Sequence, residues 1–352
     1  MAKKKVVSIV GARPQFIKYA PLSLALKKRF EDICINTGQH YDDEMSSIFF
    51  RELRITRPAY NFAVGSASHG RQTGIMLEKI EAALLKEAPS AVIVFGDTNT
   101  TLAGALAAAK LNIPLVHIEA GLRSFNKNMP EEKNRIVADH VSDMLIAPTR
   151  QAVKNLKNEG ITKNVFLTGD IMVDSLGLAT RYLRTSNMQA ELTGEFILAT
   201  IHRNYNTDDF GRLLSILKGL NALPLKVLFP VHPRTLNILK KNKVDLSAFA
   251  NVVFAKPFGY FKFVHALSRA QFLVTDSGGA QKEAYVLKIP CITLRHETEW
   301  VETLKGRWNI LVGNNFGDIK KALAGKRTAY ASGLYGDGNA AKKITELIAG
   351  MV

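Results

Sequence analysis

Cysteine is scarce in this sequence: 352 residues hold only Cys34 and Cys291, each inside an apolar run. Two such thiols form no disulfide framework, so an ordinary core and a reducing compartment are expected. Long hydrophobic runs are lacking too. No apolar stretch approaches the length of a membrane span. After the basic Lys3-Lys4-Lys5, the run Val6–Val10 is too short for a signal-peptide core. A cytoplasmic protein without membrane insertion is the expectation. Zinc-ligand spacing, low-complexity segments and a helix-turn-helix with a basic second helix are all missing. Positive charge is abundant, with 47 Lys and Arg against 31 Asp and Glu and a formal net charge of +16. These cations are dispersed along helices, without a basic block or interleaved aromatics, so nucleic acid is not the expected partner. Most of them read as a solvated surface, and some excess suits an anionic small substrate.

What is present is alternation. At 47% hydrophobic residues and a mean hydropathy near zero, the chain is well able to build a core, and its length exceeds one average domain. Strand patterns at Val6–Val10, Ile33–Thr37, Ala91–Phe95 and Leu115–Ile118 alternate with helical patterns near Phe16–Phe30, Asp43–Glu52, Thr100–Leu111 and Glu131–Asp143. The pattern restarts with strands at Phe196–Ile201, Lys226–Val231, Val252–Phe254, Phe272–Thr275 and Cys291–Leu294. Helices near Phe210–Leu220, Thr235–Asn242, Tyr260–Ser268 and Gln281–Leu287 separate them, and Ala340–Ala349 closes the chain as a last helix. This is α/β patterning with parallel sheets and right-handed crossovers. The restart predicts two Rossmann-like doubly wound domains, residues 1–172 and 173–335, joined between Gly169 and Gly194, with 336–352 as a terminal helix. Ligands of such sheets sit beyond the carboxyl ends of the strands, so a cleft between the domains is the expected site.

The suggestive residues fall in those strand-end loops. Phe272-Leu273-Val274-Thr275-Asp276-Ser277-Gly278-Gly279-Ala280-Gln281-Lys282-Glu283 runs from an apolar strand through Ser-Gly-Gly into a helix. Two glycines permit close backbone approach, and the helix start offers unpaired N–H groups and a positive dipole end to a phosphate or diphosphate. Alone, it is equally a tight strand-to-helix turn. Gly11-Ala12-Arg13-Pro14-Gln15, with Lys18 one turn on, is neither a Walker loop nor a G-x-G-x-x-G fingerprint, yet its cations could receive an anion. Gly96-Asp97-Thr98 ends a strand on a carboxylate that, taken alone, reads best as a helix cap. Glu119 ends the strand before Ala120-Gly121-Leu122-Arg123, where a carboxylate is costly to bury unless paired or used. Pro130-Glu131-Glu132 opens a helix in which Glu131 and Arg135 have i,i+4 spacing. His202-Arg203, His232-Pro233-Arg234 and Arg295-His296-Glu297-Thr298-Glu299-Trp300 follow strands of the second half.

In this order and spacing, these motifs resemble the non-hydrolysing UDP-N-acetylglucosamine 2-epimerase family over nearly the whole chain. The resemblance implies a glycosyltransferase-B-type pair of domains, a homodimer, no cofactor or metal, and a terminal helix returning to the first domain. It implies a UDP-sugar substrate whose C2 is inverted by elimination of UDP to a 2-acetamidoglucal and re-addition of UDP. By resemblance Asp97, Glu119 and Glu131 are acid/base and intermediate-stabilising groups, and His202 is a proton donor candidate beside the diphosphate. Ser277, Gly278 and Gly279 would hold the diphosphate through backbone N–H groups, with charge from Arg13, Lys18 and Arg135. Glu283 would accept the ribose hydroxyls and Phe263 would stack on uracil. Enzymes of this type feed surface-polysaccharide synthesis.

The chain departs from that pattern in places. Common UDP-GlcNAc enzymes read His-Arg-Arg-Glu-Asn where this one reads His202-Arg203-Asn204-Tyr205-Asn206, and Thr-Glu-Arg-Pro-Glu where it reads Thr298-Glu299-Trp300-Val301-Glu302. His232-Pro233-Arg234-Thr235 replaces a His-x-Asn-Pro motif. These changes resemble the branch acting on UDP-2,3-diacetamido-2,3-dideoxy-glucuronate, and both substrates stay open. Gln39-His40-Tyr41-Asp42 departs from the Gln-His-Arg pattern of enzymes that a second substrate molecule activates, so such activation is not expected.

Overall fold

The computed structural model describes residues 3–39, 55, 57–186, 188–189, 192–313 and 317–352. The helix expected over Asp43–Glu52, and His40-Tyr41-Asp42 before it, lie outside the described residues. The chain forms two compact units: Met1–Leu178 with Gly333–Val352, and Ala179–Ser332. Each is a Rossmann-like doubly wound domain of the glycosyltransferase-B type. The first change of unit falls inside the helix Ile171–Thr185.

In unit 1 the strands are β1 (Lys5–Val10), β2 (Glu31–Asn36), β3 (Tyr60–Asn61), β4 (Ala91–Phe95), β5 (Leu115–Ile118), β6 (Met144–Ala147) and β7 (Val165–Leu167). They form one parallel sheet in the order β3-β2-β1-β4-β5-β6-β7. Unit 2 holds β8 (Phe196–Thr200), β9 (Lys226–Pro230), β10 (Val252–Ala255), β11 (Phe272–Thr275), β12 (Cys291–Thr293) and β13 (Asn309–Leu311). Its sheet is also parallel, in the order β10-β9-β8-β11-β12-β13.

The strand order reverses between β1 and β4 in unit 1 and between β8 and β11 in unit 2. At such a switch point the loops leave in opposite directions and open a crevice beyond the strand ends. The loops at those points are Gly11–Ala12 and Gly96–Thr98 in unit 1, and Ile201–Arg203 and Asp276–Ser277 in unit 2.

The cores explain why these elements form. β4 is buried at every residue, as expected of a strand covered on both faces. The Ala-rich helix Asn99–Lys110 lies close on β1 and β4, and a Cβ on Gly104 would come within 3.0 Å of the Ile9 and Val94 side chains. In unit 2, Ile197, Ala199, Val227, Phe229, Val274 and Ile292 of the sheet meet Leu213, Ile216, Leu217 and Leu220 of the helix Phe210–Asn221. Each fully buried aliphatic of this kind contributes about 1.5–3 kcal/mol of transfer energy. Cys34 and Cys291 are buried core residues of β2 and β12. The helix Ala340–Met351 belongs to unit 1, where Asp174 accepts from the amides of Ala340 and Ala341 at 3.1 and 3.0 Å. Among the described residues, no helix is long and apolar enough to cross a membrane.

Candidate active site

Unit 1 builds its site from four loops. Gln15, fully inside, ties the first two together: its Oε1 accepts from the Gly11 and Ala12 amides at 2.8 and 3.0 Å, and its Nε2 donates to the Phe95 carbonyl at 2.9 Å. Arg13 is half-buried at the first position of the helix Arg13–Leu26. Lys18, one turn on, is buried and pairs with Glu119.

β4 ends on Gly96, whose φ of +65° is the left-handed turn that aims Asp97. The cap of the next helix is Thr98, whose side chain accepts from the Thr101 amide, so the capping role expected of Asp97 alone falls to its neighbour. A hydroxyl one residue later reaches the first turn, which leaves the carboxylate available. Asp97 Oδ2 receives Arg135 Nε at 3.0 Å and Nη2 at 2.6 Å, and Asn134 donates to the Asp97 carbonyl at 2.9 Å.

Glu119 follows β5 with a φ of +75°, uncommon for a residue with a side chain and costing about 1–3 kcal/mol. Its amide and that of Ala120 both donate to the Ile146 carbonyl at 3.1 Å. Its carboxylate lies over the turn before Asp97, 3.1 Å from where a Cβ on Gly96 would stand. Glu131 is half-buried in the first turn of the helix Pro130–Val141. Its neighbour Glu132 is buried and accepts from the Ser124 and Phe125 amides at 2.9 and 2.8 Å and from Arg135 at 2.5 Å. Burial pushes the Glu132 carboxyl up, but those amides and the Arg135 charge outweigh it and hold it below the usual range.

In unit 2 a residue that the motif reading left without a role holds the loops. Asp276, wholly buried after β11, accepts from the His202 and Arg203 amides at 3.0 and 2.9 Å and from Asn206 Nδ2 at 3.0 Å. The His202 ring stacks on His232 with centroids 5.3 Å apart. Ser277 occupies the N-cap position of the helix Gly278–Val286 without a side-chain cap bond, its own amide donating to Thr275 Oγ1 at 2.9 Å. The helix begins three residues earlier than expected, so Gly278 and Gly279 form its first turn, where amides have no intrahelical acceptor. A Cβ on Gly279 would meet nothing within 4 Å, so packing does not require glycine there.

Two further groups crowd that helix start. Arg295 is buried, with Nη2 3.0 Å from Glu299 Oε2; among the described residues its Nη1 has no hydrogen-bond partner, and it stands 3.6 Å from the Cβ position of Gly278. Lys282 places its ammonium 3.6 Å from the ring centre of Trp300, both side chains buried. Glu283 is buried on the same helix, and Phe263 packs with Phe258, Ala280 and Ala284 beside it. The helix start thus faces the Arg295–Glu299 pair, with Glu299 Oε1 the atom nearest the Gly278 Cβ position and Arg295 Nη1 the donor that remains for an anion. The strand-end motifs could indicate Glu119, Asp97 and the Arg295 segment, whereas the loop-holding roles of Gln15 and Asp276 emerge only once distant loops meet.

Residues 23–349 match the family model described as UDP-N-acetylglucosamine 2-epimerase. The chain belongs to this epimerase family. It is 49% identical to a UDP-N-acetylglucosamine 2-epimerase homolog of Methanococcus maripaludis, over 98% of this chain and 99% of that one. It is 45% identical to the UDP-2,3-diacetamido-2,3-dideoxy-D-glucuronate 2-epimerase of Pseudomonas aeruginosa, with the same coverage. Among solved structures, the UDP-GlcNAc 2-epimerase of Methanocaldococcus jannaschii in complex with UDP-GlcNAc and UDP is 40% identical, with a TM-score of 0.90 over 98% of this chain and 99% of that one. Epimerases of both substrate branches are thus similar to this family member over their full length.

Proposed function

We propose that this chain inverts C2 of a UDP-2-acetamido sugar by eliminating UDP and adding it back. The observation that carries the reading is the set of cation-matched carboxylates at adjacent strand ends of unit 1: Asp97 on Arg135, and Glu119 on Lys18. A carboxylate base takes the C2 proton, and the C–H electron pair becomes the C1=C2 bond of a 2-acetamidoglucal. The C1–O pair leaves on the diphosphate. Re-addition reverses these steps, with a proton delivered to the opposite face of C2 by a second acid. Asp97, Glu119 and Glu131 supply those groups, with His202 as a proton donor at the leaving oxygen. The first-turn amides of Gly278 and Gly279, with Ser277, Arg13 and Arg135, stabilise the departing diphosphate. Lys18 acts through Glu119. Glu283 takes the ribose hydroxyls and Phe263 the uracil. The family resemblance also supports a cytoplasmic homodimer that supplies surface-polysaccharide synthesis.

The substrate is UDP-GlcNAc or its 2,3-diacetamido-glucuronate counterpart. Trp300, in place of the arginine of common UDP-GlcNAc enzymes, favours the second. Proton NMR in heavy water, with each sugar nucleotide in its own tube, tests the proposal. Deuterium at C2 with the manno epimer in one tube is the expected result. No exchange together with transfer of the sugar to an acceptor would replace the epimerase with a glycosyltransferase of the same fold.

A further inference from the structure

Behind the unit 1 site lies a row of buried charges that the proposed chemistry does not use. His117 of β5 is completely buried, with Nδ1 2.7 Å from Asp139 Oδ1 and Nε2 2.8 Å from the Gly96 carbonyl oxygen. A carbonyl can only accept. Asp139 is paired through its Oδ2 with Arg123 Nη1 at 2.7 Å and takes the Gly121 amide there at 3.1 Å, and a guanidinium partner favours the ionised, acceptor-only carboxylate. A neutral imidazole has one N–H and one lone pair, so one of these short contacts would set lone pair against lone pair.

We propose that His117 is a positioning residue held as the doubly protonated imidazolium, fixing the Gly96–Asp97 turn and the Glu119 strand end for the reaction proposed above. It rests on that reading for its purpose, not for its protonation. The ring donates to the carbonyl of the left-handed Gly96, the residue before Asp97 and the one over which the Glu119 carboxylate lies. Its other donation reaches Asp139 on the helix Pro130–Val141, which also carries Arg135. Arg123 continues the row, donating from Nε and Nη2 to Glu159 at 2.6 Å each. The charges alternate along the row from His117 through Asp139 and Arg123 to Glu159, so every neighbouring pair is of opposite sign. Without its second proton, the ring could not hold the Gly96 carbonyl and Asp139 together.

The test uses the full chain labelled with 15N-histidine, the His117 signals being assigned by their loss in His117→Gln. Under the conditions of the exchange assay both His117 ring nitrogens are expected to carry protons, as two oxygen acceptors require; a single neutral tautomer at His117 overturns the proposal. Asp139→Asn is expected to convert His117 to that neutral tautomer. In C2 exchange, His117→Gln is expected to lower kcat about 100-fold, the scale of a small misplacement of reacting groups, with KM little changed. A folded His117→Gln that keeps wild-type kcat overturns the positioning role. If the variant does not fold, the ring protons of the wild type still decide the state of His117. A wild type that exchanges no UDP-sugar overturns the function proposed above, while the NMR result stands apart from it.

Discussion

The two units share one fold plan and differ in how their switch points treat charge. In unit 1 three buried carboxylates meet cations: Glu119 meets Lys18, Glu132 meets Arg135, and Asp139 meets Arg123. In unit 2 the buried Asp276 is answered mainly by backbone amides and Asn206, while Arg295 pairs with Glu299 through one nitrogen and, among the described residues, has no hydrogen-bond partner at Nη1. Paired carboxylates suit the movement of protons, and spare donors suit the reception of an anion. The sheet supplies the same crevice in both units, and the loops decide the chemistry.

That contrast breaks most visibly at Asp97. Asp97→Asn should lower C2 exchange by about 10³-fold or more, as loss of a general acid or base does, with UDP affinity nearly unchanged by titration calorimetry. An equal loss of UDP affinity would erase the division of labour between the units. Next in size is Gly279→Ala. The methyl meets no neighbouring atom, and alanine favours a helix over glycine by about 0.5–1 kcal/mol, so the melting temperature should not fall. UDP affinity should nevertheless drop about tenfold, or 1.4 kcal/mol, if a phosphate sits against that backbone. Unchanged affinity would move the anion seat elsewhere.

Glu132→Gln sharpens the unit 1 side. Losing charge-assisted bonds should cost about 1.5–3 kcal/mol at neutral pH in a denaturant titration. Because the folded carboxyl is held below its ordinary 4.5, its contribution is full above that value and is lost as pH falls through the lower folded one. Wild type and variant should therefore converge in acid, and a constant gap down to pH 2 would contradict the charge assignment. The smallest effect concerns the cores. Burial raises both thiols, that of Cys291 to about 12, so a thiol reagent should label neither until the protein unfolds.

The buried strands were legible because they are apolar runs ending in turn residues; Ala91–Phe95, Leu115–Ile118 and Phe272–Thr275 have the limits that the pattern predicts. The edge strands β3, β7 and β13 span only two or three residues, too few for a periodicity to register. The helix His69–Glu87 was not read, since its first two turns are polar and carry Gly70 and Gly74. Within the site, Ser277-Gly278-Gly279 is a local signal and could be seen. The pairing of Lys18 with Glu119 joins residues 101 positions apart, and that of Asp97 with Arg135 joins residues 38 apart. Only the sheet order brings them together. The Asp97 cap was misassigned because Asp and Thr are both good caps, and which one serves depends on where the turn places the first amide.

The helix Ala340–Met351 completes unit 1, although it is made after the whole of unit 2. During synthesis, therefore, residues 179–332 can fold as soon as they emerge, while the earlier-made half waits with its place for this helix unfilled. A nascent chain stalled before residue 340 should carry a protease-resistant second unit behind a still cleavable first one, the reverse of the usual order of maturation.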